Sequence, residues 1–193
     1  MSVKKDERLG QILKHAAQVF YDKGYDRASI RDIARQADMS LAGLYYYFRS
    51  KEELLFLIQK HVFTELLETI QGELRATSDP IRQLEIFIQN HLGYFIGNLV
   101  EMKVLSHEYE CLKGEYREGI TTLRREYYKV AEGIVEKLTS GQAGTPVKPR
   151  IAVLGLFGMM NWLYTWYRPE IDGSAEEVAA QISTLYLKGL TAN

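Results

Sequence analysis

The stretch that most constrains the fold is residues 29–51, which predicts two short amphipathic helices joined by a tight turn. Ser29 and Asp32 have the spacing of a capping box, so the first helix is expected to begin at this point. Its apolar residues recur at helical spacing and would share one buried face. Asp38-Met39 then supplies the break between the two helices.

The second helix is predicted from Leu41 to Tyr47, with Ser40 as its N-cap. Its first turn contains the small pair Ala42-Gly43, which lets that end approach another surface closely. A short helix that enters by its N-terminus is how a recognition helix lies in the major groove. The stretch therefore has the pattern of a DNA-reading helix-turn-helix.

A further capping box, Ser50 with Glu53, begins the long helix that follows, and Lys51 stands in its first turn. The helix dipole disfavours a cation at that place. An external phosphate would explain Lys51 better than the helix does.

These residues resemble the DNA-binding signature of the TetR family of transcriptional regulators. The resemblance rests on Ser29-Ile-Arg-Asp-Ile-Ala34 and on Leu44-Tyr-Tyr-Tyr-Phe-Arg-Ser-Lys-Glu-Glu-Leu54, and it is specific over roughly residues 7 to 57. It implies phosphate contacts from Ser29, Tyr45, Tyr47 and Lys51. It implies base-edge contacts from Arg31, Leu41, Ala42, Gly43 and Tyr46. Leu41 and Ala42 stand where many relatives have polar residues, which favours apolar contact with thymine methyl groups.

The charge of the chain is divided between its two parts. The formal net charge is -1, but residues 1–60 hold eleven Lys and Arg against eight Asp and Glu. The remainder holds thirteen against seventeen. This asymmetry is modest, and without the helix-turn-helix pattern it would indicate only a solvated surface.

The rest of the chain predicts further helices and no strands, giving an all-α fold of about nine helices. A DNA-binding domain is predicted at residues 1–50 and an effector-binding and dimerisation domain at 51–193. Met1 to Glu7 is expected to be a charged tail. The stretch from Ser140 to Pro149 is the one rich enough in Gly and Pro to be a true loop.

One apolar helix is predicted through Tyr167, followed by a turn at Arg168-Pro169 and a last helix capped by Ser174 with Glu177. The uncharged run from Ile151 to Tyr167 has seventeen residues, but polar residues and glycines interrupt it, so a buried helix is favoured over a membrane span. The last two helices carry more apolar surface than one small bundle needs. The resemblance implies that this pair forms a homodimer interface.

The sequence offers little for catalysis, and no catalytic residue, metal or cofactor is expected. No two of the four histidines have metal-ligand spacing. His107, Glu108 and Cys111 come nearest, but they make a poor metal site. Cys111 is the single cysteine, and it is more readily explained as a small buried hydrophobe than as a nucleophile.

The C-terminal region is rich in aromatic residues, and four glycines interrupt its helices: Gly93, Gly97, Gly155 and Gly158. Most of the aromatics would be core, but glycines facing aromatics between helices also indicate either close packing or a cavity. The penultimate helix resembles that of TetR members whose effectors are acyl-coenzyme A thioesters. Trp162 and Trp166, four apart, would share a face beside such an effector. The candidate ligand-binding residues are His91, Tyr94, Phe95, Arg124, Tyr128, Trp162, Trp166 and Arg168.

The sequence thus predicts a cytoplasmic homodimeric repressor that binds a palindromic operator and is released by a small hydrophobic or acyl-CoA effector. Three alternatives stay open. One is a regulator of the efflux type, whose effector is a hydrophobic molecule without coenzyme A. Another is an enzyme that uses the aromatic region, with a base or nucleophile that is not evident, and the last is an architectural DNA binder without a cavity.

Overall fold

A computed structural model describes residues 3–140 and 147–191, and within them every regular element is a helix. The all-α prediction is confirmed. The α-helices of these residues are α1 (Val3–Lys23), α2 (Ile30–Gln36), α3 (Leu41–Tyr45), α4 (Lys51–Leu74), α5 (Pro80–Gly97), α6 (Leu99–His107), α7 (Gly114–Thr139), α8 (Pro149–Asn161), α9 (Pro169–Asp172) and α10 (Ala175–Thr191). Two 3₁₀ turns lie at Tyr109–Cys111 and Leu163–Thr165.

By its packing the chain forms two compact units, and each is discontinuous in sequence. The N-terminal unit contains the residues up to Phe63 together with Leu99–Leu123. The C-terminal unit contains Thr64–Asn98 together with the described residues from Arg124 onward. Helices α4 and α7 each contribute to both units. The division therefore falls within two helices, whereas the domain boundary expected from sequence, at residues 50 and 51, remains a prediction.

In the N-terminal unit, α1 contacts both α2 and α6, and α2 contacts α3. Large apolar side chains from these helices are buried together with the first turns of α4. Phe20, Ile33, Leu44 and Phe48 are each 2% exposed or less. Gly24 ends the α1 segment with a positive φ of 77°, the left-handed conformation in which glycine commonly terminates a helix.

In the C-terminal unit, α5 and α10 pack along each other, and α8 contacts both. Asp79 caps α5 through the backbone N–H of Ile81, and Pro80 occupies the first helical position, where its missing N–H costs nothing. Ser174 caps α10 as predicted, because its hydroxyl accepts the N–H of Glu177 and Glu177 accepts the N–H of Ser174.

Three predicted boundaries are wrong. The helix predicted from Leu41 to Tyr47 ends at Tyr45. The charged stretch expected to be a tail is part of α1 from Val3 onward. The apolar helix expected to continue through Tyr167 ends at Asn161. A 3₁₀ turn and the four-residue α9 follow it, so the described residues contain one α-helix more than the nine predicted. Arg168 has an extended backbone, as a residue before proline usually does. The predicted Gly- and Pro-rich loop falls largely on residues 141–146, outside the described residues.

Candidate functional site

The start of α2 is fixed by a complete capping box between Ser29 and Asp32. The backbone N–H of Asp32 donates to the Ser29 hydroxyl at 3.2 Å, and the Ser29 N–H donates to the Asp32 carboxylate at 3.1 Å. Lys23 adds an ion pair to the same carboxylate at 2.7 Å. The bonds from Lys23 and Ser29 lower the pKa of Asp32 well below its ordinary value. The carboxylate therefore remains charged at neutral pH and holds the helix start in place.

The turn between α2 and α3 contains Asp38 with a φ of 50°, a left-handed conformation that Asp tolerates better than most residues. The next helix begins at once, because the Ser40 hydroxyl accepts the N–H of Gly43 at 3.0 Å. A Cβ placed on Gly43 would lie 3.2 Å from that hydroxyl oxygen. Glycine is therefore favoured here by the cap itself as well as by any close approach to DNA.

Helix α3 is held by one buried side chain and presents the others to solvent. Leu44 is fully buried, while Leu41, Tyr45 and Tyr46 are 38%, 52% and 68% exposed. Lys5 from α1 lies 4.5 Å from the centre of the Tyr46 ring, which brings a positive charge to the exposed surface of α3. Apolar and aromatic side chains beside a cation suit a groove lined by bases and phosphates.

The remaining predicted DNA contacts lie on the same part of the chain. Arg31 on α2 and Ala42 on α3 are exposed. Tyr47 is half-buried, and its ring packs edge-on against Tyr46 with the centroids 5.2 Å apart. Ser29 lies at the start of α2, where its hydroxyl is bonded to Asp32. The individual DNA contacts remain predictions.

Lys51 is positioned differently from the expectation. Its ammonium donates to the backbone carbonyls of Tyr25, Asp26 and Ala28 at 2.8, 3.2 and 3.1 Å, and it lies 4.4 Å from the centre of the Tyr25 ring. These bonds use all three donors of an ammonium group. The segment before α2 therefore gives a second explanation for a lysine here, one that needs no external phosphate, and the phosphate contact of Lys51 stays a prediction. A phosphate contact from Lys51 would have to compete with these carbonyls.

Two further carboxylates connect α4 and the loop before α2 to the segment from α6 to α7. Glu108 accepts the backbone N–H of Tyr25, and Glu52 accepts the backbone N–H of Lys113 at 2.7 Å. Lys103 on α6 also lies 4.4 Å from the centre of the Tyr21 ring on α1. The loop before α2 and the start of α4 are therefore bonded to residues that come 83 and 61 positions later in the chain.

The suspected group of His107, Glu108 and Cys111 does not form a metal site: within the described residues no three His, Cys, Asp or Glu side chains are placed to hold an ion. The Cys111 thiol instead donates to Glu108 at 3.4 Å. Burial, together with Glu108, raises the pKa of Cys111 to about 11. The thiol is protonated at neutral pH, which disfavours a nucleophilic role.

The C-terminal unit contains a cluster of aromatic rings around the buried His91. The rings of Phe87, Phe95, Tyr127 and Phe157 lie with centroids 5.9 to 6.5 Å from that of His91. Both ring nitrogens of His91 have partners, since Nδ1 lies 3.2 Å from the Tyr127 hydroxyl and Nε2 lies 3.1 Å from Asn161 Oδ1. The cluster thus has a small polar centre within an aromatic wall.

Burial lowers the pKa of His91 to about 4, although the bond to Asn161 opposes the shift. Burial also raises the pKa of Tyr127 above its ordinary value. Both groups are therefore neutral at physiological pH. In the arrangement that satisfies both bonds, the Tyr127 hydroxyl donates to Nδ1 and the Nε2–H donates to Asn161.

The cluster brings together three of the predicted ligand-binding residues, and a fourth lies beyond Tyr164 at its edge. His91 and Phe95 are inside it, and Tyr128 stacks on Phe157 with the ring centroids 6.4 Å apart. The Tyr164 ring lies 6.4 Å from that of Phe95, and the Trp162 ring lies 5.9 Å from that of Tyr164. Tyr94 is half-buried beside Phe95 on α5, and its carbonyl accepts the side-chain amide of Asn98. Arg124 and Arg168 are exposed.

The two tryptophans occupy an open groove between α8 and α10. Because α8 ends at Asn161, the argument that they share one helical face is wrong. Both nevertheless line this groove of about 670 Å³, with Ile171 and Leu185. Gly155 and Gly158 line it too, and a Cβ on either would meet open space, as it would at Gly93 and Gly97. Close packing within one chain, among the described residues, therefore does not explain these four glycines.

Sequence reasoning missed Asn161 as the partner of His91 and treated it only as a polar interruption of an apolar run. The signal available in the sequence was a polar residue at the end of an apolar helix, in a chain that also has a histidine among apolar residues. Gln59 was also missed. It is a fully buried glutamine on α4 whose two amide atoms have no hydrogen-bond partner among the described residues.

A capped α2, a left-handed turn and a short capped α3 with an exposed surface define a helix-turn-helix DNA-binding protein. The chain belongs to the TetR family. Residues 12–58 match the model described as "Bacterial regulatory proteins, tetR family", and residues 77–190 match "Tetracyclin repressor-like, C-terminal domain". Proteins of this family are DNA-binding transcriptional regulators.

Similar proteins agree in fold over nearly the whole chain. PfmR, a TetR family transcriptional regulator from Thermus thermophilus, is 31% identical with a TM-score of 0.83, covering 93% of this chain and 98% of that one. AibR, solved in complex with isovaleryl coenzyme A and operator DNA, is 26% identical with a TM-score of 0.82, covering 92% and 97%. The fatty acid metabolism regulator protein of Bacillus subtilis is 24% identical over 164 residues, which is 84% of each chain.

Proposed function

We propose that the protein is a homodimeric repressor that binds a palindromic operator and is released when a small hydrophobic effector, an acyl-CoA thioester in the first instance, enters the C-terminal unit. It acts on DNA and is accordingly assigned to the cytoplasm. The proposal of an effector rests on the aromatic cluster around His91. An enzyme would need an activated nucleophile or base, and the buried groups of this cluster are neutral and bonded to one another.

The dimer is supported by the groove between α8 and α10. Trp162, Ile171 and Leu185 along it are 60%, 71% and 67% exposed, although they are large apolar side chains. Apolar surface of this kind at one place on a protein marks an interaction site. A two-fold dimer would also present two α3 helices to half-sites about 34 Å apart, which multiplies the few base contacts that one α3 can make.

The acyl-CoA assignment is supported by chemistry and by relatives. Aromatic rings and aliphatic side chains suit an acyl chain, and a neutral polar centre suits a neutral carbonyl better than an ionised carboxylate. AibR was solved with isovaleryl coenzyme A, and the Bacillus subtilis relative is a fatty acid metabolism regulator. A hydrophobic effector without coenzyme A remains the second candidate, since the two arginines expected to meet phosphates, Arg124 and Arg168, are exposed.

The proposed mechanism is a shift between two conformations of the dimer. Helix α4 is continuous from Lys51 to Leu74, so an effector that changes its tilt would change the spacing between the two α3 helices. To move the operator from mostly occupied to mostly free, the effector must prefer the released conformation by roughly 3 to 5 kcal/mol.

The test is operator binding measured by fluorescence anisotropy, with the DNA upstream of the protein's own gene and a panel of isovaleryl-, octanoyl-, lauroyl- and palmitoyl-CoA. The corresponding free acids and coenzyme A alone are the controls. Binding that is lost on adding a thioester and kept with its controls is the expected result. Binding that no thioester changes would contradict the acyl-CoA proposal, and binding lost equally with the free acid would favour the effector without coenzyme A.

A further inference from the structure

Lys5, in the first turn of α1, is a cation beside α3 that the predicted DNA contacts do not include. Its ammonium lies 4.5 Å from the centre of the Tyr46 ring. In the part of the chain that the structure describes, no hydrogen bond or ion pair involves this ammonium. The dipole of α1 disfavours a cation in its first turn, so the helix itself does not account for the lysine.

Lys51 provides the contrast, because its ammonium donates to three backbone carbonyls at 2.8, 3.1 and 3.2 Å. An aromatic ring attracts an ammonium through the charge distribution of its face, and a contact with a largely exposed ring such as that of Tyr46 leaves the N–H groups open to an acceptor. An anion at Lys51 would have to compete with the carbonyls. An anion at Lys5 would have no such competitor.

The Tyr46 ring fixes where Lys5 stands relative to α3. Tyr46 follows α3 directly as its C-cap, and its ring packs edge-on against Tyr47 with the centroids 5.2 Å apart. The major groove of DNA is about 12 Å wide, and a helix within it has a row of phosphates on each side. An ammonium held beside that helix is therefore within reach of one of the two rows.

Net charge would not single out Lys5. The two residues that follow, Asp6 and Glu7, are exposed carboxylates, and Arg8 donates to Gln11 at 3.0 Å. The start of α1 is accordingly not a basic patch. The assignment depends on the ring contact that places Lys5 beside α3.

We propose that Lys5 binds a backbone phosphate of DNA when α3 lies in the major groove, with the Tyr46 ring holding the ammonium in place. The contact adds affinity on every sequence, since phosphates carry no sequence information. It needs neither the effector nor the dimer proposed above. It needs only the DNA binding that the family shares.

The test is the salt dependence of DNA binding by the full-length wild type, Lys5→Met and Lys5→Arg, measured by fluorescence anisotropy. Two duplexes of equal length are used, one from the DNA upstream of the protein's own gene and one of mixed sequence. Losing one phosphate contact should lower the slope of log K against log salt by about 0.9 per bound chain, and should weaken binding about fivefold to tenfold at roughly 0.1 M salt. Lys5→Met should show both effects on both duplexes, and Lys5→Arg should match the wild type.

Lys103→Met is the matched control. Lys103 lies 4.4 Å from the centre of the exposed Tyr21 ring, so it makes the same kind of contact at a different place. Tyr21 comes sixteen residues after Lys5 on α1, which is about 24 Å along the helix axis. The replacement should leave the affinity and the slope unchanged. All three variants should melt within about 2 °C of the wild type, because the changes are at the surface.

The outcomes separate a phosphate contact from other roles of Lys5. A wild-type slope for Lys5→Met on both duplexes would refute the contact. An unchanged slope with a weaker preference for the upstream duplex would refute it too, because Lys5 would then act only by positioning Tyr46. An equal fall in slope for Lys103→Met would overturn the assignment by showing an effect of net charge. A wild type that binds both duplexes equally would count against the proposed operator, while the mixed-sequence duplex would still decide the role of Lys5.

Discussion

Replacing Lys51 with methionine should destabilise the protein even when no DNA is present. Methionine keeps most of the side chain's length and apolar surface but removes the ammonium that bonds the carbonyls of Tyr25, Asp26 and Ala28. The explanation from sequence, that Lys51 is there to meet phosphate, gives no reason for such an effect. The two explanations therefore differ in a quantity that can be measured on the free protein.

The size of the effect follows from the three bonds. A hydrogen bond from a charged donor contributes about 1.5 to 3 kcal/mol, but Lys51 is partly exposed and water can replace the donor at the exposed Asp26. Counting the other two carbonyls at the low end gives a loss of about 3 kcal/mol in the free energy of unfolding. For a chain of 193 residues this corresponds to a fall in melting temperature of roughly 6 to 12 °C.

Thermal unfolding followed by circular dichroism is the assay, and Lys60→Met is the matched control. Lys60 is on the same helix, is exposed, and has a ring contact at the longer distance of 5.9 Å, so its replacement should change the melting temperature by no more than about 1 to 2 °C. One result would contradict this reasoning. Lys51→Met would melt at the same temperature as the control but bind DNA more weakly, with a binding constant that depends less steeply on salt concentration. The carbonyl bonds would then not explain the lysine, and a phosphate contact would be the better explanation.

Three further results are expected. Arg31→Ala should weaken operator binding about tenfold or more and relax the base preference, whereas Arg35→Ala on the same helix should do neither. If the two variants gave the same operator affinity by fluorescence anisotropy, the assignment of Arg31 to a base contact would be contradicted. Leu185→Glu in the groove should give monomers in sedimentation at micromolar concentration, while Thr184→Glu beside it should not; a monomeric wild type would refute the dimer. The pKa of His91 is depressed from 6.5 to about 4, so the unfolded chain binds the extra proton in that window. Wild-type stability should therefore fall relative to His91→Gln by up to about 1.4 kcal/mol per pH unit below pH 6.5, and parallel curves would contradict the buried neutral ring.

Local signals in the sequence were sufficient for the helix-turn-helix. Ser29, Asp32 and Ser40 bond to backbone groups within three residues, so their spacing alone predicted the helix starts that the structure contains. The left-handed Gly24 is equally local. Capping and turn formation depend on near neighbours in the chain, and such features can be derived from one sequence.

The candidate site was harder to predict because it depends on residues far apart in sequence. His91 meets Tyr127 and Asn161 across separations of 36 and 70 residues, and no spacing rule connects them. The error over Trp162 and Trp166 has a related cause. Their four-residue separation implies a shared face only if the helix continues, and whether α8 continues past Asn161 is decided by packing rather than by propensity.

The bonds from Tyr25 to Glu108 and from Glu52 to Lys113 have a practical consequence for anyone who wishes to cut or graft the DNA-binding head. A fragment that stops at Phe63 would lose α6, with its buried Met102 and Val104, and would leave the covering face of α1 in water. Such a fragment should aggregate or melt early. A chimera that exchanges operator specificity should therefore transplant only the exposed residues of α2 and α3, or else carry Leu99–Leu123 along with the first sixty-three residues.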